Sequence, residues 1–284
     1  MRFFLLVLLS VSFSHIGLGQ TADLQHNSSK RGSLYFYWGW NQDWFTKSDL
    51  HFSGTDYDFT LKDVVSADRQ SDFSVDAYLN PTVMTIPQYN FRIGYYFKND
   101  WDISFGIDHM KYVMKNYQTV KISGEISTNR SDYDGLYDND DIVLDEDFLK
   151  FEHTDGLNYL NIELRHTDVI FEKNKVQINL IEGIGGGILL PKTNTTLWGT
   201  DRYDEFHLSG YGIGAVLGVN FTFFNGFFIQ SEVKGGFIDL PKVRTTTSSA
   251  DKANHNFFFT QVNVVFGGII QTKRRPKSPK ASVE

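Results

Sequence analysis

Residues 206–240, FHLSGYGIGAVLGVNFTFFNGFFIQSEVKGGFIDL, constrain the fold of this chain more than any other stretch. The first half alternates. His207, Tyr211, Ile213, Ala215, Leu217, Val219 and Phe221 share one face, and Gly210, Gly212, Gly214, Gly218, Asn220 and Thr222 share the other. Successive side chains of a strand point to opposite faces, so period two over this length predicts a strand. Asn225-Gly226 is expected to make the turn, because both residues tolerate positive φ. The second half alternates again, with Ile229, Val233 and Phe237 opposite Gln230, Glu232, Lys234 and Gly236. The segment is therefore a long hairpin with one apolar face and one face of glycines, amides and charges. Phe221, Phe223, Phe224, Phe227 and Phe228 crowd its turn. That combination fits a barrel wall with lipid outside, a polar lumen inside and an aromatic girdle at the interface.

The rest of the chain repeats the pattern. Strands are predicted at 33–41, 88–98, 101–115, 157–171, 176–190 and 256–271, which with the hairpin makes about eight. Leu34, Phe36, Trp38 and Trp40 lie outward on the first, and Phe258, Val262, Val264, Phe266 and Ile270 on the last. Near Glu182 the parity is broken by glycines, and a bulge there is expected to turn Glu182 inward. Connections after the second, fourth and sixth strands are short, whereas the others are long, notably 42–87 and 116–155. This alternation predicts an all-β, transmembrane, antiparallel up-and-down barrel with short periplasmic turns and long external loops. A lipocalin-like soluble barrel would need the opposite polarity, and inverting these faces would fill its core with ions.

Composition narrows the function classes. The chain has no cysteine, which excludes disulfides, thiol nucleophiles and a lipoprotein anchor. A net charge of −7 argues against nucleic acid as a partner. After the N-terminus no apolar run is long enough for a transmembrane helix. Residues 1–19, with Arg2 before an apolar run and small residues ahead of Gln20, are expected to be a signal peptide. Residues 20–32 are expected to be a periplasmic lead-in, 33–271 the barrel, and 272–284 a disordered basic periplasmic tail.

Six charged residues, Arg92, Asp108, Glu163, Arg165, Glu232 and Lys234, have inward parity roughly six to nine residues from a short turn. They are expected to meet in one balanced layer, since charges removed from water must be paired. Small barrels have lumens that side chains can fill, so the layer reads as a polar plug, with a narrow channel as the alternative. The acidic run bearing Asp132, Asp134, Asp138, Asp140 and Asp141 offers oxygen ligands for calcium, but without EF-hand spacing it also reads as a solvated loop. No cofactor motif or metal site is assigned. An enzyme that acylates or deacylates lipid A is the other alternative. The deacylase pattern, serine two residues after histidine on a lipid-facing strand, is not expected in this chain. His51, Ser53 and Asp56 form a loose loop set for the acyltransferase pattern.

The segments YFYWGWNQDWFTKSDLHFSG, YDFTLKDVV, TIPQYNFRIGYYF and GIDHMKYVM resemble an uncharacterised outer-membrane β-barrel family common in Bacteroidota. The resemblance implies fold and outer-membrane location and carries across no catalytic residue. The expected partners are the lipid bilayer, lipopolysaccharide and a surface ligand at residues 42–87 and 116–155. A monomer is expected.

Overall fold

The computed structural model describes residues 29–271, apart from 73, 80–86, 130, 200 and 201. The expected signal peptide, most of the lead-in and the basic tail lie outside the described residues. In chain order the strands are β1 (Leu34–Phe45), β2 (Ser48–Ser53), β3 (Tyr57–Val64), β4 (Ser66–Ala67), β5 (Tyr89–Tyr96), β6 (Trp101–Met114), β7 (Gln118–Ile126), β8 (Gly135–Leu144), β9 (Leu149–Lys173), β10 (Val176–Leu197), β11 (Tyr203–Phe206), β12 (Gly210–Phe223), β13 (Phe227–Arg244) and β14 (Lys252–Ile270). A short helix, α1 (Val75–Leu79), lies between β4 and β5.

Eight of these strands, β1-β5-β6-β9-β10-β12-β13-β14, form an antiparallel ring that closes between β14 and β1. Closure runs in one register from Leu34↔Ile270 to Phe45↔Phe259, so the ring has no open edge there. The β5–β6, β9–β10 and β12–β13 turns are short and share one end of the barrel; the other connections leave from the opposite end. This is the predicted up-and-down topology.

β14 shows how one strand serves two solvents. Near its C-terminal end Phe258, Val264, Phe266 and Ile270 are exposed on the outer wall, while Gln261 and Asn263 are buried inside. Nearer its start the polarity reverses: Ala253, His255, Phe257 and Phe259 are buried inside, and Lys252 and Asn256 face out. The exchange happens within Phe257-Phe258-Phe259. Below it the barrel is apolar outside and polar inside, and above it the chain is built like a water-soluble protein.

That upper part is larger than the sequence suggests. The predicted long loops 42–87 and 116–155 contain β2, β3, β7 and β8, which extend the sheet from the top of β14 in the order β14-β2-β3-β7-β8. Among the described residues β8 pairs with β7 alone. The ring strands also run further than predicted; β9 begins at Leu149 and β10 continues to Leu197. Together they enclose an apolar core that includes Leu50, Phe52, Phe59, Leu61, Phe148 and Phe151. Burial of such side chains stabilises by roughly 1.5–3 kcal/mol each, so this lobe has its own reason to be ordered.

Two expectations about the organising hairpin need correction. Positive φ falls on Phe224 and Asn225, not on Gly226. Gly226 instead accepts a hydrogen bond from the Ile269 amide through its carbonyl, at 2.7 Å. A Cβ added at Gly226 meets nothing nearer than 3.9 Å. Gly226→Ala is therefore expected to change unfolding stability by less than about 0.5 kcal/mol, which denaturant titration in detergent checks. Phe228, placed by sequence in the girdle, points inward and packs with Tyr35, Tyr37, Tyr96 and Val265. Its strand neighbours Phe227 and Ile229 take the outward positions.

Candidate functional site

All six of the charged residues named from the sequence lie inside the ring, and none exposes more than 3% of its surface. Strand parity puts them there: Arg92 on β5, Asp108 on β6, Glu163 and Arg165 on β9, and Glu232 and Lys234 on β13 all share the inward phase of their strands. Arg165 bonds Glu163 through Nε at 2.7 Å and Glu232 through Nη1 at 2.5 Å. Arg92 Nη2 bonds Glu163 Oε1 at 2.9 Å, and Lys234 Nζ bonds Asp108 at 2.5 Å and Glu163 at 2.6 Å. Each acid thus touches at least one cation, and Glu163 touches three. Charges withdrawn from water persist only with such pairing and with their remaining donors and acceptors filled.

Uncharged residues do the filling. Tyr37 OH accepts from Arg92 Nε and from Arg165 Nη2, both at 3.0 Å, and lies 3.3 Å from Glu232 Oε2, to which it donates. Asn161 accepts from Arg92 at 2.6 Å and donates to Asp108 at 2.9 Å. Asn90 bonds Asp108 at 2.6 Å and Gln261 at 3.0 Å. Sequence reading placed several of these inside but gave them no role; their parity relative to the charged residues was the usable signal. It missed Asp102, which shares the phase of Asp108 and accepts from Tyr35 OH at 2.8 Å. Glycines supply the room: a Cβ at Gly106 would lie 2.5 Å from the Arg92 guanidinium, and one at Gly185 would lie 2.5 Å from Glu163 Cγ.

Little space remains along the axis at this level. The cavity between the layer and the short-turn mouth, lined by Lys30, Tyr35, Asp102 and Arg165 among others, holds about 10 Å³, close to the minimum for one water. Above the layer, Tyr159, Leu157, Met110 and Phe259 begin the apolar core of the outer lobe.

A closed strand ring with an apolar belt outside and ion pairs inside is the architecture of outer-membrane β-barrels. Solved outer-membrane proteins are among the structures to which the chain is similar. OprG from Pseudomonas aeruginosa is 10% identical, with a TM-score of 0.39, and the match covers 86% of this chain and 99% of OprG. Neisserial surface protein A is 11% identical at a TM-score of 0.33, covering 85% and 99% of the two chains. Ail of Yersinia pestis is 11% identical at 0.30, covering 83% and 99%. No family model and no curated protein matches the chain. Likeness this distant transfers no function, and the reading below rests on the residues themselves.

The other sequence candidates are dispersed. Asp132 and Asp134 fall in the β7–β8 turn, where Asp134 accepts from Thr128 Oγ1 at 2.7 Å. Asp138, Asp140 and Asp141 lie along exposed β8, with Asp141 paired to Lys121 at 2.8 Å. Among the described residues, the His/Asp/Glu group whose ligand atoms come within 4.8 Å of one another is instead His166, Asp168 and Glu182, on the outer wall near Trp101. Glu182 thus faces outward, against expectation. The irregularity falls in β9, where Ile170 has no partner between Val169↔Asn179 and Phe171↔Ile178, so β10 keeps its parity through the glycines.

Three His-x-Ser steps do occur in the sequence; His26–Ser28 lies outside the described residues, and the other two are His51–Ser53 and His207–Ser209. In the first, His51 Nε2 contacts Asp58 Oδ1 at 2.9 Å and Nδ1 contacts Asn254 at 2.9 Å, so neither nitrogen is left to activate Ser53. The carboxylate partner is Asp58 on β3, not the expected Asp56. In the second, Ser209 Oγ donates to the His207 carbonyl at 3.1 Å. A nucleophile needs its base within hydrogen-bond reach, and neither pair offers that.

Proposed function

We propose that this chain is an integral protein of the bacterial outer membrane that presents a folded outer lobe at the cell surface, with a barrel that anchors and does not conduct. The observation that carries this reading is the filled lumen. A balanced ion-pair layer occupies the barrel at mid-wall, and the apolar lobe core covers it above. An ion entering would have to break several buried charge-assisted hydrogen bonds, each among the stronger contacts in a protein. The short-turn end then faces the periplasm, and the lobe meets lipopolysaccharide and external ligands. The lipid A-modifying alternative is not favoured, because among the described residues neither His-x-Ser step is wired for nucleophilic attack.

The test has two parts. Heat-modifiable gel migration and protease shaving of whole cells are expected to show a boiling-dependent shift and cleavage confined to the lobe. Purified protein in planar bilayers is expected to show no unitary conductance steps at neutral pH. Discrete, ion-selective steps would replace the anchor reading with a channel.

A further inference from the structure

We infer that the tip of the outer lobe carries a binding site for a neutral saccharide; this deepens the surface-binding reading and rests on it. Four separate connections converge there, the β2–β3, β7–β8 and β13–β14 turns and the end of β10, around a cavity of about 320 Å³. That is within the usual size range of small-ligand sites, roughly 300–1,000 Å³.

The lining chemistry narrows the ligand. Tyr57 and Trp198 meet edge to face with ring centroids 5.1 Å apart, giving an aromatic wall. Opposite polar groups come from Asp56, Asp251, Thr128 and Ser248. Carboxylates and hydroxyls accept and donate to ligand hydroxyls, and the rings take the C–H face of a sugar. Among the described residues the charged groups of the lining are the carboxylates of Asp56 and Asp251, which disfavour phosphate, sulfate or carboxylate ligands.

Trp198 is also held unusually. Its φ is +49°, a conformation costly for a bulky side chain. Its amide is pinned to the Phe148 carbonyl at 3.1 Å, which fixes the ring at the cavity against Phe59 and Tyr57. Among the described residues its buried indole N–H finds no acceptor. Backbone strain of this kind persists where the surroundings over-determine it, and it clusters at ligand clamps.

The experiment uses the full chain in detergent on an array of neutral mono- and oligosaccharides, followed by calorimetric titration with the strongest binder. The expected result is saturable binding that Trp198→Ala weakens at least tenfold and Asp251→Asn weakens several-fold. Both variants are expected to keep the heat-dependent gel shift, which reports the barrel separately. If the array retains no neutral sugar, or if Trp198→Ala binds as the parent does, the site assignment is wrong even though the barrel stands. Binding of putrescine or choline in place of sugars would also overturn it, reassigning the aromatic and acidic lining to amines. Loss of the heat shift in the parent chain would instead strike the membrane reading.

Discussion

Arg165→Ala is expected to destabilise the barrel by about 3–5 kcal/mol, the usual cost of stranding a buried charge. Arg165 is the cation that touches both Glu163 and Glu232. Glu163 keeps Arg92 and Lys234 after the change, but Glu232 keeps only hydrogen bonds, from Gln230 at 2.6 Å, Tyr37 at 3.3 Å and Asn263 at 3.3 Å. Arg92→Ala strands no acid completely and is expected to cost less. Arg165→Lys is expected to recover only part of the loss, because one ammonium cannot reproduce a planar fork. Denaturant unfolding of the three variants in detergent gives the order. Equal stability for parent and Arg165→Ala would mean the lumen holds water that screens the acids.

The second large effect is a pH dependence located in the lobe. His153 and His255 are fully buried there with rings stacked at 5.7 Å; His153 also contacts Thr193 at 2.8 Å, and Tyr112 packs against both. Desolvation pushes the His153 imidazole down to about 3. The same cause, with the neighbouring His153 adding to it, holds His255 well below the ordinary histidine value. The unfolded lobe therefore binds protons that the folded lobe refuses. Its stability is full above roughly pH 6.5 and falls as pH drops from there toward the folded value. At pH 5 His153 alone removes about 2 kcal/mol, and His255 adds in the same direction. Protease susceptibility of the lobe, followed from pH 7.5 to 5, is expected to rise below roughly pH 6.5. His153→Gln combined with His255→Gln is expected to flatten the profile; an unchanged slope in that variant would place the titrating group elsewhere.

The barrel was legible because period two survives any error of a residue or two at strand ends. Leu34, Phe36 and Trp38 declare a face, and Arg92 with Asp108 declares the other. The lobe was not legible for a related reason. Along β14 the apolar set moves from the even positions Phe258, Val264 and Phe266 to the odd positions Phe257, Phe259 and Ala253 without any shift in parity. Following the apolar face loses the strand at that crossing, although the backbone continues. Glycines obscured Glu182 differently: Gly183, Gly185, Gly186 and Gly187 carry no face of their own, so parity has to be read across from β9 and β12. The tip cavity had no local signal, since its residues come from four distant turns.

The free side of β8 has a consequence for a crowded cell surface. Among the described residues β8 ends the sheet that rises from β14, and one row of its amides and carbonyls has no strand beside it. Asp138, Asp140 and Asp141 line that exposed strand, and Asn139 at φ +63° breaks its regularity. Strand borders left open invite pairing with the next molecule, and charge with a kink discourages it. The acidic run is therefore expected to oppose pairing between neighbouring lobes, so that a densely packed population stays a field of separate molecules and does not knit into a continuous sheet.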